Sequence, residues 1–155
     1  MRRKDREIAD FHKMIEILKE CDCCRIGLVD DIGTYIVPMN FGYEEQDGKL
    51  ILYYHGAAVG KKIELIKEQP VASFEMDRKH ELVEGEIACS YSYRYQSIMG
   101  KGNVQIIENY KDKVHGLQKI MSHYSDKQEW EFKEEHVNMV SVIKLQVTEW
   151  SCKEH

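Results

Sequence analysis

The alternation of apolar and polar positions divides the chain into short strands and polar turns, interrupted by three stretches with helical spacing. Ile8, Phe11, Ile15 and Leu18 recur at three- and four-residue steps, which predicts an amphipathic helix capped by Asp5 and ending near Cys21. Cys24 to Val29 then reads as a strand, Asp30-Asp31-Ile32-Gly33 as a turn, and Thr34 to Met39 as the antiparallel partner. Pro38 has no N–H to give to a ladder, so this partner is expected at a sheet edge, with Met39-Asn40-Phe41 facing an opening. Glu44 to Gly48 carries the Asp47-Gly48 signature of a hairpin and leads into the apolar and aromatic run that ends at Tyr54. Three strands joined by short turns predict a meander.

Gly56 to Gly60 is a segment of small residues suited to a tight turn, and helical spacing resumes from Lys61 until Gln69-Pro70 stops it. Val71 to Met76 alternates as a further strand. The charged segment from Asp77 predicts a mobile loop that regains strand character toward Arg94, through Ile87, Cys89, Tyr91 and Tyr93. Tyr95 to Ile107 reads as a long strand bent at Gly100 and Gly102. Asn109 and Tyr110 open a helix with Val114, Leu117, Met121 and Tyr124 on one face, and after a polar stretch Met139 to Trp150 makes the last strand. Most connections are too short for crossover helices, so six or seven strands and three helices predict a mainly β fold with α, a small β-barrel carrying its helices outside. No linker or repeat divides it, and residues 1–155 are read as a single domain.

Composition narrows the function classes. With 155 residues, 43% hydrophobic and 32% charged, the chain is an ordinary soluble globular domain. A net charge of -5 gives no general attraction for nucleic acid, and no run approaches the length of a membrane span, so neither partner is expected. The charged start, Met1-Arg-Arg-Lys-Asp-Arg, leads into Glu7, Asp10 and His12 instead of an apolar core, which is no secretory signal and predicts a cytoplasmic protein. Its five cysteines are then free thiols. Cys21 and Cys24 have CxxC spacing, but they follow a helix C-terminus with Asp22 between them, the reverse of the setting that activates a thiol.

The chemistry gathers in Lys49 to Ile66, read as strand, turn and helix. A new helix presents unpaired N–H groups and the positive end of its dipole where Lys61 and Lys62 add charge, so a phosphate is the natural guest; a solvated lysine face is the alternative. The spacing is one residue short of a P-loop, and Lys62 stands where Ser or Thr would hold magnesium, which excludes that kind of nucleotide hydrolysis. His55 ends the strand beside this turn, placed to bond a phosphate or ligate a metal centre; the other six histidines have no ligand spacing, and most of them read as surface residues. No nucleophile elbow occurs and no carboxylate pair sits in an apolar frame, so an enzyme built on this chain would rely on a cofactor.

In order along the chain, Cys24-Arg-Ile-Gly-Leu-Val-Asp-Asp31, Tyr35-Ile-Val-Pro-Met-Asn-Phe-Gly-Tyr43, Tyr54-His-Gly-Ala57 with Gly60-Lys-Lys-Ile-Glu-Leu65, Val71-Ala-Ser-Phe-Glu-Met-Asp77 and Tyr95-Gln-Ser-Ile-Met-Gly-Lys-Gly102 resemble the 5-nitroimidazole-resistance (NimA-like) branch of the pyridoxamine 5'-phosphate oxidase-related proteins. The resemblance implies a split β-barrel that forms a homodimer and holds FMN between subunits. It would put Pro38, Met39, Asn40 and Phe41 along the flavin ring, Tyr54, His55 and Gly56 beneath the ribityl chain, and Lys61 and Lys62 on the phosphate. Tyr95, Gln96 and Ser97 would approach the ring from the next strand, and Trp150 would lie near the partner's site. The basic C-terminal segment with which pyridoxamine phosphate oxidases hold their substrate is absent, since the chain ends Trp150-Ser-Cys-Lys-Glu-His155. The implied activity is therefore an oxidoreductase passing hydride from reduced FMN to a small electron acceptor, a nitro compound or quinone. Relatives of this shape also include haem binders, so haem with His55 as axial ligand is the alternative.

Overall fold

The computed structural model describes residues 3–46 and 48–155. Short strand β1 (Glu7–Ile8) precedes helix α1 (Phe11–Lys19), strands β2 (Cys24–Asp30), β3 (Gly33–Met39), β4 (Phe41–Gln46) and β5 (Lys49–Ala57), and helix α2 (Lys61–Glu68). Long strands β6 (Val71–Val83) and β7 (Ser92–Ile107) follow, then helices α3 (Tyr110–Tyr124) and α4 (Glu134–Met139) and the final strand β8 (Val140–Glu154). All pairs are antiparallel, in the order β3-β2-β6-β7-β8-β5-β4, with β1 added to β8. Strands β3 and β4 lie at the two ends of that order, yet Asn40 alone separates them in sequence. The two edges must therefore meet there, which curls the sheet into the split barrel and leaves a seam at Met39–Phe41.

Inward positions alternate as a closed sheet requires. Cys24, Ile26 and Leu28 of β2, Leu50, Leu52 and Tyr54 of β5, and Ala72, Phe74 and Met76 of β6 fill one core together with Ile15 and Leu18 of α1 and Ile63 and Ile66 of α2. A smaller core lies outside the barrel, where Ile51, Tyr53 and Val142 meet Ile120 of α3. Strand β5 is covered on both faces, which is why Leu50 to Tyr54 is a continuous apolar run instead of an alternating one.

Several expectations change. Strands β3 and β4 are not neighbours, so the early strands form two separate hairpins and no meander. Asp47 of the second hairpin turn lies outside the described residues. Helix α1 is capped by Asp10, whose carboxylate accepts from the Lys13 N–H at 2.8 Å, and Asp5 caps nothing there. Ile8 belongs to β1, pairing with Cys152. The charged segment after Met76 is strand, because β6 and β7 stay paired through Val83 and Ser92 with a bulge between Arg78 and Glu81. The bend expected at the two glycines is a register shift between Lys101 and Gly102 on the β8 side. On α3 the docked face is Lys113, Gly116 and Ile120, while Met121 and Tyr124 are exposed. The helix lies so close to β4 that a Cβ on Gly42 would stand 2.2 Å from the Lys119 carbonyl carbon, and one on Gly116 would stand 2.8 Å from Val142 Cγ1. Close backbone approach, rather than the largest apolar side chains, selects the face. Among the described residues the sheet has eight strands and α4 is a fourth helix.

Candidate functional site

Strand β5 runs through His55 and Gly56 to Ala57, so the turn is only Ala58 to Gly60. Gly60 is the N-cap of α2 at φ +127°, a conformation open to glycine, and no side chain caps the helix. The first-turn N–H groups are thus left without a side-chain acceptor. The Lys62 side chain lies across Gly56, where a Cβ would come within 2.7 Å of both its Cε and Nζ. Lys62 forms no ion pair among the described residues. Lys61 is held differently: its Nζ is 2.5 Å from the Asp30 carboxylate and 4.9 Å from the centroid of the Tyr35 ring. The bond to Asp30 raises the Lys61 pKa, and the bond from Lys61 lowers that of Asp30. Asp30 and Tyr35 were not singled out from the sequence; the acid reads as part of a turn until the barrel brings it to Lys61.

His55 faces solvent, and desolvation first, then the Lys62 charge, lower its pKa, so the imidazole is neutral at physiological pH. Met39 is buried with its Cε 4.0 Å from the Cβ position of Gly56, so the end of β3 borders this turn. Pro38 and Asn40 are exposed on either side of it. Phe41 and Tyr54 are fully buried, Tyr54 with its hydroxyl 3.3 Å from Cys24 Sγ, so their side chains are not available to a surface ligand.

The remaining candidates lie elsewhere on the chain. Tyr95 and Gln96 line a second cavity of about 550 Å³ with Lys79, His80, Arg94 and Glu154, and no residue of the Lys61–Lys62 corner lines it. Gln96 is only 4% exposed; its Nε2 donates to Glu154 Oε1 at 3.0 Å, and its Oε1 is the one buried side-chain polar atom without a partner among the described residues. Ser97 follows opposite Asp77, half-buried. Trp150 packs edge-on against Phe11 at 5.7 Å and borders a third space, a cleft of about 630 Å³ on the outer sheet face with Ile36, Phe74, Met99 and Gly100.

Cys21, Cys24 and Cys152 are chemically quiet: burial pushes the first two thiols up to about 12 and that of Cys152 to about 11. His123 is not a surface residue. It packs against Phe41 with ring centroids 4.3 Å apart, and its Nε2 is 2.7 Å from the Cys21 carbonyl.

Fold and site together define a split-barrel protein with a cationic strand–turn–helix corner. The family model described as pyridoxamine 5'-phosphate oxidase matches residues 11–154, and the chain belongs to that family. It is 34% identical to a candidate 5-nitroimidazole antibiotic resistance protein from Bacteroides thetaiotaomicron over 96% of this chain and 86% of that one, with a TM-score of 0.83. The flavocytochrome Anf3 of Azotobacter vinelandii shares the fold at TM-score 0.83 and 18% identity, over 100% of this chain and 72% of that one. So does a FAD- and haem-binding protein of Mycobacterium smegmatis, at 0.83 and 17%, over 96% and 73%. No curated protein matches the chain significantly. Among the described residues no helix is long and apolar enough to cross a membrane.

Proposed function

We propose that this chain is an FMN-binding oxidoreductase that reduces a small acceptor, a nitro compound or quinone, and works as a homodimer. The observation that carries the reading is the α2 corner, where uncapped N–H groups and a free Lys62 ammonium laid over Gly56 offer what a terminal phosphate requires. Bound FMN would supply two-electron transfer, a chemistry no side chain here provides.

The protein's own residues would bind and orient. Lys62 and the first turn of α2 hold the phosphate, Lys61 joins them when released from Asp30, and the exposed Pro38 and Asn40 border the ring. Gln96 and Trp150 lie apart from that corner within one chain, so a second copy is the natural source of these two groups. The uncovered outer face, with Ile36 63% and Met99 49% exposed beside the cleft, is the surface such a copy would cover.

A haem reading rests on one feature, the exposed neutral imidazole of His55. The visible spectrum of the freshly purified protein, followed by mass measurement of the released ligand, distinguishes the two. FMN is the expected product; recovery of haem alone or of FAD alone overturns the proposal.

A further inference from the structure

We propose that Tyr124 and His123, at the end of α3, are positioning residues for the barrel seam that borders the cofactor ring; the inference rests on the flavin reading above. Asn40 has no ladder partner, and it joins Met39, the last residue of one sheet edge, to Phe41, the first of the other. The flanking ladders fix its neighbours but leave the link itself free to adjust. The Tyr124 hydroxyl closes that gap. It accepts the Phe41 N–H at 3.1 Å and donates to the Asp22 carbonyl at 2.8 Å. Its proton and one of its lone pairs are thereby used.

His123 repeats the attachment one residue earlier. Its Nε2 donates to the Cys21 carbonyl at 2.7 Å, which fixes the proton on that nitrogen, and its ring lies against Phe41 and, edge-on at 5.9 Å, against Tyr43. Two consecutive side chains thus staple the seam to the Cys21–Asp22 backbone just before β2, whose Cys24 pairs with Met39. Tyr124 does this while 42% exposed, so apolar burial is not what its ring contributes. The Cys21-Asp22 stretch, whose spacing suggests redox chemistry, acts here through its carbonyls.

Tyr124→Phe keeps the ring and deletes the hydroxyl. Flavin titrations of wild type and variant should show affinity for FMN and riboflavin falling together by roughly 5- to 10-fold, because the phosphate corner is untouched. The absorption bands of the bound flavin should shift, a change that a purely stabilising role would not produce. Exchange of the Phe41 amide should speed up by at least about tenfold without any flavin present. A folded variant with wild-type affinities and spectrum overturns the clamp alone, as does a loss confined to FMN. A wild type that takes up neither flavin overturns the flavin reading and the clamp with it. If Tyr124→Phe does not fold, His123→Gln is expected to give the same spectral shift; loss of the fold in both makes the pair a general stability element and also overturns the proposal.

Discussion

At the scale of single residues, the two lysines of α2 are chemically unequal although the sequence presents them as a pair. Lys61 is already neutralised by Asp30, whereas Lys62 has no carboxylate partner among the described residues and lies over Gly56. Lys62→Ala should therefore weaken FMN binding by roughly 10- to 100-fold, the value of a charge-assisted hydrogen bond of about 1.5–3 kcal/mol, and leave riboflavin binding unchanged. Lys61→Ala should cost less, and Asp30→Asn should strengthen FMN binding by freeing Lys61. Parallel titrations with the two flavins check this; equal losses for FMN and riboflavin would move the phosphate elsewhere. The anion corner was legible in the sequence because strand, small-residue turn and basic helix start are contiguous. Asp30 and Tyr35 were not, since only the curl of the barrel brings their hairpin to α2. The cysteines follow the same logic in reverse: their spacing is visible in the sequence, but the burial that raises the Cys21 and Cys24 pKa values to about 12 is not. A thiol reagent at pH 8 should modify exposed Cys89 and spare those two until the protein unfolds.

At the scale of elements, strands and helices announce themselves wherever their own burial is one-sided, and become ambiguous where it is not. The distal parts of β6 and β7 run past the core as a polar ribbon, so Asp77 to Val83 carries no apolar alternation to read. The docked face of α3 was hidden because it is built from Gly116 and Lys113 beside Ile120. Glu44 of β4 anchors this helix: Tyr53 donates to its carboxylate, His115 lies 2.8 Å from it and Lys119 3.3 Å. Burial opposes ionisation of Glu44, but the bonds from Tyr53 and His115 outweigh it and its pKa is lowered. A depressed folded-state pKa adds stability above the unfolded value of about 4.3 that is lost as pH falls through the folded value. Glu44→Gln should cost about 1.5–3 kcal/mol at neutral pH and flatten the acid limb of the stability curve, as thermal melts between pH 3 and 7 would record. An acid limb unchanged in the variant would mean that other carboxylates control it. The helix start is a simpler test of the corrected boundary: Asp10→Ala should destabilise by about 1 kcal/mol and Asp5→Ala by far less.

At the scale of the whole molecule, the barrel leaves one broad face without a covering helix. Val29 and Ile36 of the β2–β3 hairpin, Val71 of β6 and Met99 of β7 are all more than 40% exposed, beside the cleft that Trp150 borders. Isolated apolar side chains need no explanation, but a cluster on one sheet face does, and two-fold pairing is the commonest way for a soluble chain to cover it. If the second copy also brings Gln96 and Trp150 to the Lys62 corner, binding and association are linked. FMN should then shift the monomer–dimer equilibrium toward dimer, and dilution into monomer should release FMN. The interface should exceed roughly 1,000 Å². Ile36→Glu, which places a charge on this face and outside both the phosphate corner and the barrel core, should sediment as a folded monomer and lose most of its FMN affinity. Sedimentation monitored at the flavin absorbance reads both quantities at once. A stoichiometric FMN complex that sediments as a stable monomer would refute the shared site, and an Ile36→Glu dimer that keeps its FMN would move the interface to another face.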